Sequence, residues 1–129
     1  MGKTDYTENK VLDHINGKTS FTMPTAHVAL FTAAPSDSGG GTEVTGGSYA
    51  RVATTGSTWA AASGGSTSNA AAITFPTATA SWGTVTHYAL FDASTSGNML
   101  RWAALTASKT IGSGDTASFA IGALTMTED

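Results

Sequence analysis

Hydrophobic positions along this chain change their spacing once. Up to Gly17 they keep helical spacing, with Val11, Leu12 and Ile15 forming a narrow apolar stripe in a charged segment. Asp5 is placed to cap such a helix, and Glu8 stands three residues on, in the capping-box position. Asn16-Gly17 closes it, because glycine takes the left-handed conformation that ends a helix at little cost. Three turns with so thin a stripe are marginal alone, so the helix must rest on its own domain or on a neighbouring subunit. Beyond Gly17 the pattern becomes short β-like runs separated by Gly, Ser, Pro and Asp. These predict strands near residues 20–23, 26–33, 49–55, 71–75, 86–92, 99–105 and 116–127. The last run alternates, with Ala117, Phe119, Ile121 and Ala123 on one face and Leu124 and Met126 on the other. With both faces partly apolar, it is expected to be buried on two sides or against a partner.

Seven short strands at this spacing, in 129 residues, fit one mainly β domain, a β-sandwich or jelly-roll-like body, better than an α/β plan. The division expected is a helical arm over residues 1–18 and a β-sandwich body over 19–129. Residues 35–41 and 61–69 have loop composition, and Ser113-Gly114-Asp115 reads as a turn into the last strand. One internal echo stands out. Ala26-His27-Val28-Ala29-Leu30-Phe31-Thr32-Ala33 matches Thr86-His87-Tyr88-Ala89-Leu90-Phe91-Asp92-Ala93, with His, Ala, Leu, Phe and Ala in register. The two segments read as equivalent central strands, or as chance convergence of two core strands.

Charged residues make up only 12% of the chain, and Lys3, Asp5, Glu8, Lys10, Asp13 and Lys18 crowd into its start. The Ala, Thr, Ser and Gly body that follows suits subunit contact as well as it suits a neutral domain solvated by hydroxyls. A net charge of −3 without a basic patch argues against nucleic acid as a partner. No apolar run is long enough to cross a bilayer, and the polar start does not resemble a secretory signal, so neither membrane nor export is expected. The absence of cysteine removes disulfides and thiolate metal ligands.

Candidate chemistry is thin. His14, His27 and His87 lack the short spacings of a metal site, although His27 and His87 become neighbours if the echo strands pair. No metal or cofactor is expected. The carboxylates of the β-body, Asp37, Glu43, Asp92, Asp115, Glu128 and Asp129, fall mostly at turns or at the terminus, which does not suggest the facing pair of a glycosidase. No Gly-x-Ser-x-Gly elbow appears, and the glycine pairs lack the Lys-Ser/Thr of a phosphate loop. These observations predict a protein without enzymatic activity. Trp59, in a loop-like stretch, is a candidate platform for a sugar ring, against the commoner role of core filling.

Several separated motifs carry a resemblance. Asp5-Tyr6-Thr7-Glu8-Asn9-Lys10-Val11-Leu12-Asp13-His14, Gly47-Ser48-Tyr49-Ala50-Arg51, Ile73-Thr74-Phe75-Pro76 and Ser81-Trp82-Gly83-Thr84-Val85-Thr86-His87 resemble, in that order, small virion structural proteins of tailed bacteriophages. Ser113-Gly114-Asp115 and the ending Gly122-Ala123-Leu124-Thr125 do so too. That family is labelled tail-fibre-like or simply structural. The resemblance implies a virion part, assembled in the host cytoplasm, with no catalytic residues to carry over. With neither an elongated repeat nor a coiled coil, the chain reads as a capsid decoration (cement) protein that binds the major capsid protein and stabilises the head shell. The alternative is a tail fibre or tail-associated component, in contact with tail proteins and host surface glycans. The docking residues expected are Asp5, Glu8, Val11, Leu12 and Ile15, and a homotrimer is expected because a modest core gains from burial shared between subunits.

Overall fold

A computed structural model describes residues 2–128. Along them run β1 (Gly2–Lys3), the helix α1 (Asp5–Ile15), β2 (His27–Ala33), β3 (Thr42–Glu43), β4 (Val52–Ala53), a 3-10 turn (Gly56–Thr58), β5 (Ser66–Ser68), β6 (Ile73–Thr74), β7 (Gly83–Phe91), β8 (Met99–Ile111), β9 (Ser118–Phe119) and β10 (Thr125–Thr127). The protein is mainly β, with one short N-terminal helix. An antiparallel sheet in the order β1-β8-β7-β2-β3, with β4 also on β2, forms one layer. Two antiparallel ribbons, β5 with β10 and β6 with β9, lie on one of its faces. The main core fills the gap: Val28, Leu30, Tyr88, Leu90 and Leu100 from the sheet meet Ile73, Phe75, Leu124 and Met126 from the ribbon side. The arrangement is sandwich-like, with the second layer built from ribbons and loops.

The echo strands are the centre of the sheet. β2 and β7 pair antiparallel about Ala29↔Ala89, so His27 faces Phe91 and Phe31 faces His87. Their alternate residues serve two cores. Val28, Leu30, Tyr88 and Leu90 point to the ribbons, and Ala29, Phe31, Ala89 and Phe91 join Met99 on the other face. The two alanines leave room for Phe31 and Phe91 to stack across them, with ring centroids 6.2 Å apart and planes 1° from parallel. Burial on both faces explains why these strands read as continuous apolar runs.

The N-terminal segment is tied to the sheet edge. β1 pairs with β8, and the helix begins on Thr4, not on Asp5 as the sequence suggested. The Thr4 hydroxyl accepts from Thr7 N–H at 3.4 Å and itself donates to Met99 O at 2.6 Å. Thr7 Oγ1 donates to Leu100 O at 2.7 Å. The tertiary partners on β8 decide the cap, and Asp5 becomes the first helical residue. At the other end Lys18 N–H reaches Asp13 O, Gly17 N–H reaches His14 O, and Gly17 has φ +74°. These are the two hydrogen bonds of a Schellman stop.

Several expected strands differ. Residues 20–26 form none: Pro24 has no N–H to give, Met23 is 89% exposed, and Phe21 N–H is taken by His14 Nδ1 at 3.0 Å. The run at 49–55 shrinks to β4, and the run at 71–75 to β6. β7 and β8 extend beyond 86–92 and 99–105, because Gly83, Thr84 and Val85 pair with Ile111, Thr110 and Lys109 across a bulge that follows. The run 116–127 breaks in two. Gly122, at φ +79°, donates its N–H to Asn69 O; the buried Asn69 amide donates to Ala120 O at 2.9 Å and accepts from Leu124 N–H at 2.9 Å. This turn shifts the alternation by one residue. Phe119 packs against the core, Ile121 is 69% exposed, and after it Leu124 and Met126 turn inward.

Candidate functional site

Two surface features meet at the start of α1, a cleft and an exposed helix face. The cleft encloses about 560 Å³ between the start of the helix, the 37–41 loop, the 96–98 loop and the Phe31/Phe91 pair. Its wall is held by Glu43, Tyr49 and Arg51, which the sequence places among the carboxylates, in a strand near 49–55 and in a family motif without indicating that they meet. Arg51 donates from Nε and Nη2 to the two oxygens of Glu43 at 2.9 and 2.8 Å. Its Nη1 donates to Ala93 O at 2.9 Å and Ser96 O at 2.8 Å, and its guanidinium lies 3.6 Å over the Phe91 ring. Tyr49 OH donates to Glu43 at 2.7 Å and accepts from Leu30 N–H at 3.0 Å. Burial pushes the Tyr49 phenol far above its ordinary range, and the hydrogen bond to the Glu43 carboxylate adds to the rise. The phenol is therefore a fixed donor, with no acid–base role at neutral pH.

The sharp turn before Tyr49 belongs to the same unit. Gly47 and Ser48 have φ +56° and +64°, Trp82 Nε1 donates to Gly47 O at 2.9 Å, and a Cβ on Gly47 would lie 2.9 Å from Ala80 O. The Gly47-Ser48-Tyr49-Ala50-Arg51 motif thus fastens β3 and the 93–98 loop to the central sheet. With only six Lys and Arg in the chain, an arginine alone in a neutral stretch was the available signal. With four of its five N–H donors engaged, Arg51 serves as an internal cation for two loops.

The other carboxylates hold local structure. Asp92 accepts from Asn98 N–H at 2.7 Å and Asn98 Nδ2 at 2.9 Å. Burial pushes its pKa up, but these hydrogen bonds outweigh burial and hold it below its ordinary value. Asp115 accepts from Gly112 N–H, and Asp37 from Trp102 Nε1 at 3.1 Å. Glu128 bridges Lys3 and Arg101, and Asp129 lies outside the described residues. Among the described residues, no three His, Asp or Glu side chains gather as metal ligands would. His27 and His87 do lie on neighbouring strands, but at opposite ends of the five-pair ladder, about 13 Å apart at the strand rise. Trp59 is half-buried, packs against the core and donates to Thr54 Oγ1 at 3.1 Å.

The expected docking residues divide. At 100° per residue, positions 5, 8, 12 and 15 fall within about 80° of arc on α1. Asp5 and Glu8 are exposed there, with Leu12 54% and Ile15 68% exposed. Val11 is half-buried, on the side that carries the buried Thr7. The helix sits on the sheet edge through its threonines, and the outer part of its apolar stripe is left uncovered.

Comparison with known proteins then bears on what this body belongs to. No curated protein matches the chain. Residues 2–127 match the family described as Podophage GP4 fiber I protein gp80. The chain belongs to this phage fibre family. The likeness seen in the separated motifs therefore extends over nearly the whole chain, and the protein is a virion structural component. Within this family the chain is a compact two-layer domain with a short helix.

Proposed function

We propose that the protein is a non-enzymatic structural subunit of a tail-associated fibre, joined to a neighbouring virion protein through the outer face of α1. The observation that carries this reading is the family match over residues 2–127. Capsid decoration, expected from the lack of coiled coil and elongated repeat, is not set apart from this placement by compactness. A compact subunit builds into a fibre through its surface, and the exposed Leu12 and Ile15 are apolar groups that the domain does not cover. The polar side chains that could do chemistry are engaged in fastening loops: Arg51 with Glu43 and Tyr49, and Asp92 with Asn98. That engagement supports a structural role.

Deleting the gene from a phage that carries it tests the placement. The fibre reading expects particles whose heads keep normal resistance to heat and chelator while a fibre is missing. Heads that lose that resistance with fibres intact would overturn it in favour of shell decoration.

A further inference from the structure

We propose that the outer face of α1 docks a segment of a different virion protein that carries lysine or arginine followed by apolar residues, an inference that rests on the docking role proposed above for this helix. The face has two halves. Asp5 and Glu8 occupy its first turn, and Leu12 and Ile15 continue the same line at heptad spacing. Neither carboxylate has a cationic partner among the described residues, where the ion pairs join Lys3 to Glu128, Arg51 to Glu43 and Arg101 to Glu128.

The lysine and the histidine of the helix are turned elsewhere. Lys10 lies over the Tyr6 ring, 5.6 Å from its centroid, and His14 accepts from Phe21 N–H. The exposed face is therefore acidic and then apolar, with no positive charge of its own. That pattern does not complement itself. Two copies packed parallel would oppose carboxylate to carboxylate, and two packed antiparallel would set carboxylates against leucine and isoleucine; both are unfavourable. A basic-then-apolar segment satisfies both halves, with the charges steering encounter and the two apolar side chains supplying the buried area. Two such side chains make a small interface, so one contact is weak and copies held side by side along a fibre add through avidity.

The test uses the full-length protein supplied in trans to a phage lacking the gene, with copies per purified particle counted by quantitative mass spectrometry. Three variants are compared: Asp5→Asn with Glu8→Lys, Leu12→Ser with Ile15→Ser, and Asn9→Lys as a control beside the face. Thermal unfolding and native mass spectrometry are run on each. The expected result is that both double variants unfold near the wild-type temperature and keep its oligomeric state, yet fall about fivefold or more in incorporation, the loss expected for a charge pair or a small apolar contact. The control should incorporate normally.

If the serine pair abolishes incorporation and the charge variant does not, the partner is not basic and this inference fails, while the docking role stands. A charge variant that loses thermal stability but not incorporation overturns it in the same way, because the carboxylates then serve only the helix dipole. Normal incorporation of both double variants overturns the docking role itself. A changed oligomeric state in either would assign the face to a second copy and overturn the partner proposed here.

Discussion

Replacing Arg51 by alanine should be among the most damaging single changes to a polar residue in this domain. The substitution leaves the Glu43 carboxylate without its counter-ion, frees the carbonyls of Ala93 and Ser96, and uncovers the Phe91 ring. Removing one partner of a buried ion pair costs about 3–5 kcal/mol. The Arg51 side chain is 7% exposed, but Glu43 is 23% exposed and keeps its hydrogen bond from Tyr49, which brings the expected loss to about 2–4 kcal/mol. For a domain of this size each kcal/mol lowers the melting temperature by about 3 °C, so Arg51→Ala should melt about 6–12 °C below wild type. Circular dichroism melts give that number directly. Arg51→Lys should recover little of it, since an ammonium can neither fork onto both Glu43 oxygens nor stack flat on Phe91. Adding Glu43→Ala to Arg51→Ala should cost less than the sum of the two single changes, with a coupling of about 1–3 kcal/mol. A melt within about 2 °C of wild type for Arg51→Ala, or strict additivity with Glu43→Ala, would refute the account of this motif as the fastening of two loops.

Two further outcomes are expected. Asn69→Ala leaves Ala71 O and Leu124 N–H without their partner and takes one of two donors from Ala120 O; a loss of about 3 kcal/mol is expected in urea unfolding, and a midpoint shift worth under about 1 kcal/mol would contradict the role given to Asn69 in breaking the last strand. For Glu128, burial pushes the carboxyl up, but the hydrogen bonds from Lys3 and Arg101 outweigh it and hold its pKa below the ordinary value. Its contribution is thus fully present above the unfolded value of about 4.3 and is lost as pH falls through the lower folded value. The urea midpoint should drop across that window in wild type and drop less in Glu128→Gln; equal slopes would remove Glu128 as a cause.

The elements readable from the sequence are those specified by local pattern. The helix stop at Asn16-Gly17 is local chemistry, and the structure uses it. The His-Ala-Leu-Phe echo identified the two central strands because burial on both faces demands the same small and large alternation in each. What escaped was set by distant partners. Thr4 outranks Asp5 as the cap because its hydroxyl also reaches β8, some 95 residues along the chain. The last strand kept its apolar alternation on paper but breaks at Gly122, because Asn69 takes the backbone groups of residues 120 and 124. Residues 106–110 carry no apolar alternation and still continue β8, because beyond a bulge Lys109 and Thr110 pair with the start of β7. The docking stripe was legible as a stripe, but only the structure separates Val11, turned toward the body, from Leu12 and Ile15, turned out.

Labelling the protein in intact particles, through a small C-terminal tag bound by gold-conjugated antibody and imaged by electron microscopy, tests the central claim most directly. The account predicts label confined to fibres at the tail. Label spread evenly over the head shell would contradict it.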